Sequence, residues 1–157
     1  MKKFFSTSDD GILTFLRITA GFIVLAHGVQ KLFGWFGGHG VMATMDSFEQ
    51  WFGLPGFITF MVIMSDSAGA VCLIIGFGTR FMASSIALVM VGAIALVHGR
   101  WGFYMNWYAE RRGEGFEFHL LILAIMIVLI VRGGGKASVD RWVMRRLEGT
   151  ANQKKLN

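Results

Sequence analysis

Four apolar runs dominate this chain, each close to the length that crosses roughly 30 Å of hydrocarbon at a rise of about 1.5 Å per residue. They are Gly11 to Phe33, Phe57 to Gly78, Phe81 to His98 and Phe116 to Val131. In lipid only helices and closed barrels satisfy every backbone N–H and C=O, and these runs lack the apolar/polar alternation of a barrel strand. The prediction is an all-α protein, a four-transmembrane-helix bundle. Composition agrees: 54% of the 157 residues are hydrophobic and 16% charged, against about 45–50% and 25% in soluble domains, so the excess apolar surface faces lipid. The third and fourth runs are short, and their ends are expected to extend into Gly99 to Trp101 and Gly113 to Gly115.

The first run is too long for a secretory signal, holds Arg17 and His27, and lacks a small-x-small cleavage site, so it is expected to stay in the protein. With four spans both termini share one face. Lys2, Lys3, Arg17, Arg80, Arg132, Lys136, Arg141, Arg145, Arg146, Lys154 and Lys155 belong to that face; Lys31, Arg100, Arg111 and Arg112 belong to the other. The positive-inside rule then makes both termini cytoplasmic. The net charge of +5 is explained without nucleic acid. The expected organisation is a cytoplasmic N-terminus over 1–10, a membrane domain over 11–135 and an amphipathic, partly disordered cytoplasmic tail over 136–157.

Two connections are distinctive. Gly76 to Arg80 is a tight turn that makes the second and third spans antiparallel neighbours. Between the first two spans, Val41, Met45, Phe48 and Phe52 fall at helical spacing, with Asp46, Glu49 and Gln50 on another face. That pattern predicts an amphipathic helix on the outer surface, either a simple anchor or a lid folded over the bundle. In the tail, Val139, Trp142, Val143 and Leu147 oppose Arg141, Arg145 and Arg146, as in a cytoplasmic helix drawn to anionic lipid. Gly149 to Asn157 is polar and expected to be disordered.

A charge at the bilayer centre costs roughly 3 kcal/mol even on lenient scales, so ionisable residues inside spans mark function. Arg17, Gly21, Val24, Gly28 and Lys31 share one helical face, and the two glycines permit close approach by another helix. His27 lies one turn before Lys31. Asp66 sits near the middle of the second span among Ser65, Ser67, Ala68 and Gly69. His98 closes the third span, and Glu114, Glu117 and His119 open the fourth. Alternating helix directions bring His27, Lys31, Asp66, His98, Glu117 and His119 into the outer half of one bundle. The expectation is a polar ligand-binding chamber, roofed by the glycine-rich segment around His39. Structural alternatives stand beside it: Lys31, His98 and His119 as interfacial residues, Arg17 snorkelling to headgroups or pairing structurally, and Asp66 protonated and bonded across helices.

Metal-binding signals are weak. His27, His98 and His119 with carboxylates could hold a metal ion, or opposed histidines a haem, but the spacing selects neither. There is no HExxH, CxxCH, GxGxxG in a strand-helix context or phosphate loop. Cys72 is the lone cysteine, so no internal disulfide or dithiol motif exists.

Leu16-Arg17 through Gly21 and the run His27-Gly28-Val29-Gln30-Lys31-Leu32-Phe33-Gly34-Trp35-Phe36-Gly37-Gly38-His39-Gly40 closely resemble the opening signature of the DoxX family of small bacterial membrane proteins. Gly53-Leu54-Pro55, Ser67 to Arg80, Ala95 to His98, Gly115-Phe116-Glu117-Phe118-His119 and Ser138-Val139-Asp140 continue the pattern. In one departure, Asp66 stands where the family pattern usually has Glu. The resemblance implies a four-helix, multi-pass protein of the bacterial cytoplasmic (inner) membrane. Relatives include a membrane subunit of a thiosulfate to quinone oxidoreductase, members of oxidative-stress and thiol-redox complexes, and more distant eukaryotic cargo receptors, so fold analogy does not choose the reaction.

Two functions follow. In the first, the chain is a redox-associated membrane subunit whose chamber holds a quinone or a small sulfur or oxidant species, with His27, Lys31 and Asp66 binding or protonating it. Electrons would then come from a redox partner protein or directly from substrate. In the second, it is a noncatalytic scaffold or small-molecule carrier that docks a partner. Small-residue stripes such as Ala83 with Ala87 suit contacts within one bundle or between protomers of a homo-oligomer.

Overall fold

The computed structural model describes residues 5–109 and 112–156, with side chains described as far as 149. Lys2, Lys3 and Arg111 lie outside the described residues. The described residues are helical with no strand. In chain order the helices are α1 (Gly11–Phe33), α2 (Gly40–Phe52), α3 (Gly56–Ile75), α4 (Thr79–Trp101), α5 (Glu117–Arg132) and α6 (Val139–Leu156). Helices α1, α3 and α4, of 23, 20 and 23 residues, are long and apolar enough to cross a membrane.

Local chemistry sets the ends of these helices. The Asp10 carboxylate accepts the Ile12 N–H at 2.8 Å and starts α1. Gly34, at φ 75°, ends it in the left-handed conformation, where a side chain is strained. Gly76, at φ 73°, ends α3 in the same way, and its N–H donates to the Leu73 carbonyl. Helix α4 runs on to Trp101, as expected from the aromatic residue there.

The fourth run differs from its expected extent. Helix α5 has 16 residues, about 24 Å of helix, and Gly113 to Gly115 lie in the preceding loop instead of extending it. That loop folds back on the end of α4: Phe116 N donates to Gly102 O and Glu117 N to Phe103 O. A Cβ at Gly115 would stand 2.3 Å from the Tyr104 carbonyl oxygen, so the loop backbone packs where a helix would need side chains.

The core draws on four helices: Ala20 and Val24 of α1, Ala70 and Leu73 of α3, Ala83, Ile86 and Met90 of α4, and Ile122, Met126 and Leu129 of α5. Helices α4 and α5 run antiparallel, since Arg80 donates to the Ile130 carbonyl at one end while His98 meets His119 at the other. Phe15, Phe22, Phe60, Met61, Leu88, Leu121, Ile127 and Val131 stay exposed along the bundle. That band suits lipid and would be a liability in water.

One end of the bundle is tied by Arg17, which is fully buried rather than snorkelling. Its guanidinium donates to Gly134 O at 3.0 Å, Leu73 O at 2.7 Å, Ala137 O at 2.6 Å and Ile74 O. The Leu73 carbonyl, which also accepts the Gly76 N–H, and the Ile74 carbonyl lie at the end of α3, and a charged fork bonds both where water is absent. Asp140, 2% exposed, completes the knot: its Oδ1 accepts Gly78 N at 2.7 Å and its Oδ2 accepts Thr79 N at 2.8 Å. The start of α6 thus caps the start of α4, while Ser138 Oγ accepts the Arg141 N–H and caps α6 itself. The tail is therefore anchored by its first residues. Its helix continues to Leu156, where the polar composition had suggested disorder from Gly149 onward; Gln153, Lys154 and Lys155 are good helix formers despite their polarity.

Candidate functional site

At the end of the bundle opposite Arg17 lies a cavity of about 450 Å³, within the size range of small-molecule sites. Helix α1 contributes Val24, His27 and Lys31, spaced three and four residues apart on one face. Helix α3 contributes Asp66, α4 contributes Val89, Met90, Ala93, Val97 and His98, and α5 contributes Phe118 and His119. Phe48, Trp51 and Phe52 of α2 close one side, so α2 folds over the bundle instead of only anchoring its surface.

Two local distortions set the geometry. Helix α3 opens into a π-turn over Ser65–Gly69, and α4 does so over Ile94–His98. Such single wide turns cost backbone hydrogen-bond quality and recur at functional sites. The first carries Asp66 and the second carries His98, and both residues line the cavity. Ser85 Oγ donates to Ser65 Oγ at 2.9 Å, joining α4 to the α3 distortion. On the other side α1 presses against it at Gly28. A Cβ there would stand 2.1 Å from the Asp66 carbonyl oxygen and 2.7 Å from Ser67 N. Gly21 is similarly close to Ile74 and Ala70, so the glycine line of α1 makes the expected close approach.

That approach brings Lys31 onto Asp66. The Lys31 ammonium donates to Asp66 Oδ2, with the carboxylate side chain 1% exposed and the lysine side chain 25% exposed. A buried carboxylate is tolerated because a cation and a hydrogen bond accompany it. Asp66 Oδ1 is buried with no hydrogen-bond partner, as is His119 Nδ1. Most buried polar atoms are satisfied; these two belong to residues that line one cavity, whereas Thr59 Oγ1 and Thr79 Oγ1, also unpartnered, belong to residues outside it. His98 stacks on His119 with ring centroids 4.1 Å apart, and its Nδ1 lies 2.9 Å from the Glu114 carbonyl oxygen. His27 sits 5.9 Å, centroid to centroid, from the Phe118 ring.

Five of the six residues expected in the chamber, His27, Lys31, Asp66, His98 and His119, line this cavity. Glu117 does not: its Oε1 accepts Met105 N at 3.1 Å and braces the loop before α5. Glu117 and His119 are two residues apart, about 200° around a helix, so one faces the loop when the other faces the cavity. Glu114 lines the cavity instead, while its Oε2 accepts Asn106 N at 2.6 Å. His39 is exposed at the start of α2 and does not roof the site; the aromatic face of α2 does. Trp51 was not legible as a lining residue, although Phe48 and Phe52 on its own helix mark that face. Among the described residues no three His, Cys, Asp or Glu side chains gather as metal ligands, so His27, His98 and His119 do not form a ready metal site.

The DoxX family pattern matches residues 12–99, more than half of the chain, a stretch that includes Lys31 and Asp66. The chain belongs to the DoxX family. A curated relative is the Bacillus subtilis (strain 168) protein named "Putative oxidoreductase CatD", 28% identical over 130 residues that cover 83% of this chain and 85% of CatD. No solved structure matches. This DoxX protein is therefore a member of a membrane family with a distant relative named for redox chemistry, and the DoxX match runs from the first turn of α1 to the last turn of α4, ending before α5.

Proposed function

We propose that this DoxX protein is a redox-associated subunit of the bacterial inner membrane that binds a quinone, or a small sulfur or oxidant species reacting with one, in the cavity between α1, α3, α4 and α5. The single observation that carries the reading is that the Lys31–Asp66 pair and His119 line one cavity, with Asp66 Oδ1 and His119 Nδ1 left without a partner behind its wall. Lys31 offers protons to a ligand oxygen, Asp66 accepts from a hydroxyl, and His119 serves as donor or acceptor according to its tautomer. Phe48, Trp51, Phe52 and Phe118 provide an apolar wall for a planar ring.

A quinone bound there would supply the two-electron, two-proton capacity. The residues of this chain bind it, shield it behind α2 and hold or move protons at the Asp66 carboxyl and the His119 imidazole. Electrons come from a partner protein or from the sulfur substrate. In this reading α5 is a fourth span, short in itself and completed by the loop folded over its start. The excess of Lys and Arg at the Arg17 end supports a cytoplasmic position for that end, with the cavity towards the opposite leaflet.

The test is chemical extraction of protein purified from its native membrane in mild detergent, with quinone quantified per chain. Near-stoichiometric quinone in the wild type, largely lost in Lys31→Gln and His119→Phe preparations of normal thermal stability, supports the proposal. A preparation that holds no quinone, and whose melting temperature does not respond to added quinone or sulfur oxyanion, refutes it.

A further inference from the structure

A second recess lies at the Arg17 end, where α3 finishes and α6 begins. It is an open groove of about 360 Å³ whose lining includes Ile75, Lys136, Arg141, Trp142 and Arg145. Three of these side chains are cationic and share the one groove; Arg141 donates to the Asp9 carboxylate, whose pKa is lowered chiefly by that bond. The single Asp9 charge leaves the group net positive.

The other wall is apolar. Ile75 is 50% exposed, Val71 lies one turn back along the same face of α3 at 45%, and Trp142 is 59% exposed. An aromatic ring at the junction of a cationic recess and an apolar helix face is the arrangement found at the headgroup level of a bilayer. A soluble anion would use the cations but not the Val71–Ile75 ledge.

We propose that this groove is a binding site for an anionic phospholipid, its phosphate held by Lys136, Arg141 and Arg145 and an acyl chain lying along Ile75 and Val71 of α3. The site is separate from the quinone cavity and rests only on α3 crossing a bilayer. It gives the start of α6 a membrane contact in addition to its protein contacts through Ser138 and Asp140.

The experiment uses the full-length protein in detergent, titrated with phosphatidylglycerol or phosphatidylcholine and read by native mass spectrometry of retained lipid. Phosphatidylglycerol is expected to be retained over phosphatidylcholine. Each exposed cation near such a surface is worth about a fivefold change in affinity, so Lys136→Gln/Arg145→Gln should weaken phosphatidylglycerol retention by roughly tenfold or more. Asp9→Asn should strengthen it, a gain that misfolding cannot imitate. Inorganic phosphate and glycerol 3-phosphate at millimolar concentration should not displace the lipid. Equal retention of the two lipids, no loss in the double variant, weaker binding in Asp9→Asn, or displacement by phosphate would each overturn the proposal, the last by making this a soluble-anion site. Because the readout is lipid, its failure leaves the quinone test untouched.

Discussion

Gly28→Ala should separate α1 from α3 at the point where the ion pair forms. The added methyl carbon would start 2.1 Å from the Asp66 carbonyl oxygen and 2.4 Å from its carbonyl carbon, where ordinary contact begins near 3.4 Å. These are backbone atoms of a π-turn and cannot swing aside as a side chain would, so the two helices must part by more than about 1 Å. Overpacking of this kind costs about 1–3 kcal/mol, and lengthening the Lys31–Asp66 contact adds to it. For a chain of this size a loss of that order lowers the melting temperature by roughly 2–12 °C. Gly92→Ala is the control: nothing lies within 4 Å of a Cβ there, and Gly to Ala inside a helix gains roughly 0.5–1 kcal/mol. Thermal unfolding of both variants in one detergent, followed by circular dichroism, measures the contrast. A Gly28→Ala protein melting within a degree of wild type would refute the close approach from which the site is built.

Three further outcomes follow from the Arg17 end. Arg17→Met should leave the Gly134, Ile74 and Ala137 carbonyls without this donor, each costing about 1–3 kcal/mol, and should abolish accumulation of monodisperse protein on size-exclusion chromatography; Arg17→Lys should restore little, because an ammonium cannot reproduce the guanidinium fork. Asp140→Ala should cost about 1–2 kcal/mol through loss of the α4 cap, and Asp140→Asn less, measured by thermal unfolding. The guanidinium of Arg141 holds Asp9 below its ordinary pKa of 3.8, so this pair stabilises the protein above that pH and the contribution disappears as pH falls through the lowered value. Asp9→Asn should flatten that acid limb of the melting-temperature profile; an unchanged profile would show that the pair does not form in solution.

The helix pairing was legible because a 3.6-residue period is strong in apolar spans: Arg17, Gly21, Val24, Gly28 and Lys31 could be placed on one buried face from spacing alone. Asp66, His27, His98 and His119 were legible from the cost of polarity in hydrocarbon. What periodicity could not reveal were the π-turns at Ser65–Gly69 and Ile94–His98, because one extra residue in a turn rotates everything after it without changing composition. Alternating helix directions give Glu117 its depth but not its face, and two residues apart on a helix Glu117 and His119 point nearly opposite ways. Arg17 and Asp140 act on carbonyls and amides distant in the chain, and backbone partners leave no trace in side-chain pattern. The role of Trp51 depended on which way α2 folds, and its glycine-flanked ends do not specify that.

The most direct test is the affinity of a short-chain quinone for the protein in nanodiscs, by titration calorimetry, in wild type, Asp66→Asn, and the remote Arg145→Gln. A hydrogen bond to a charged group is worth about 1.5–3 kcal/mol, so Asp66→Asn should weaken binding by tenfold or more while Arg145→Gln leaves it unchanged. Equal affinity in all three proteins would contradict a ligand site built on the Lys31–Asp66 pair.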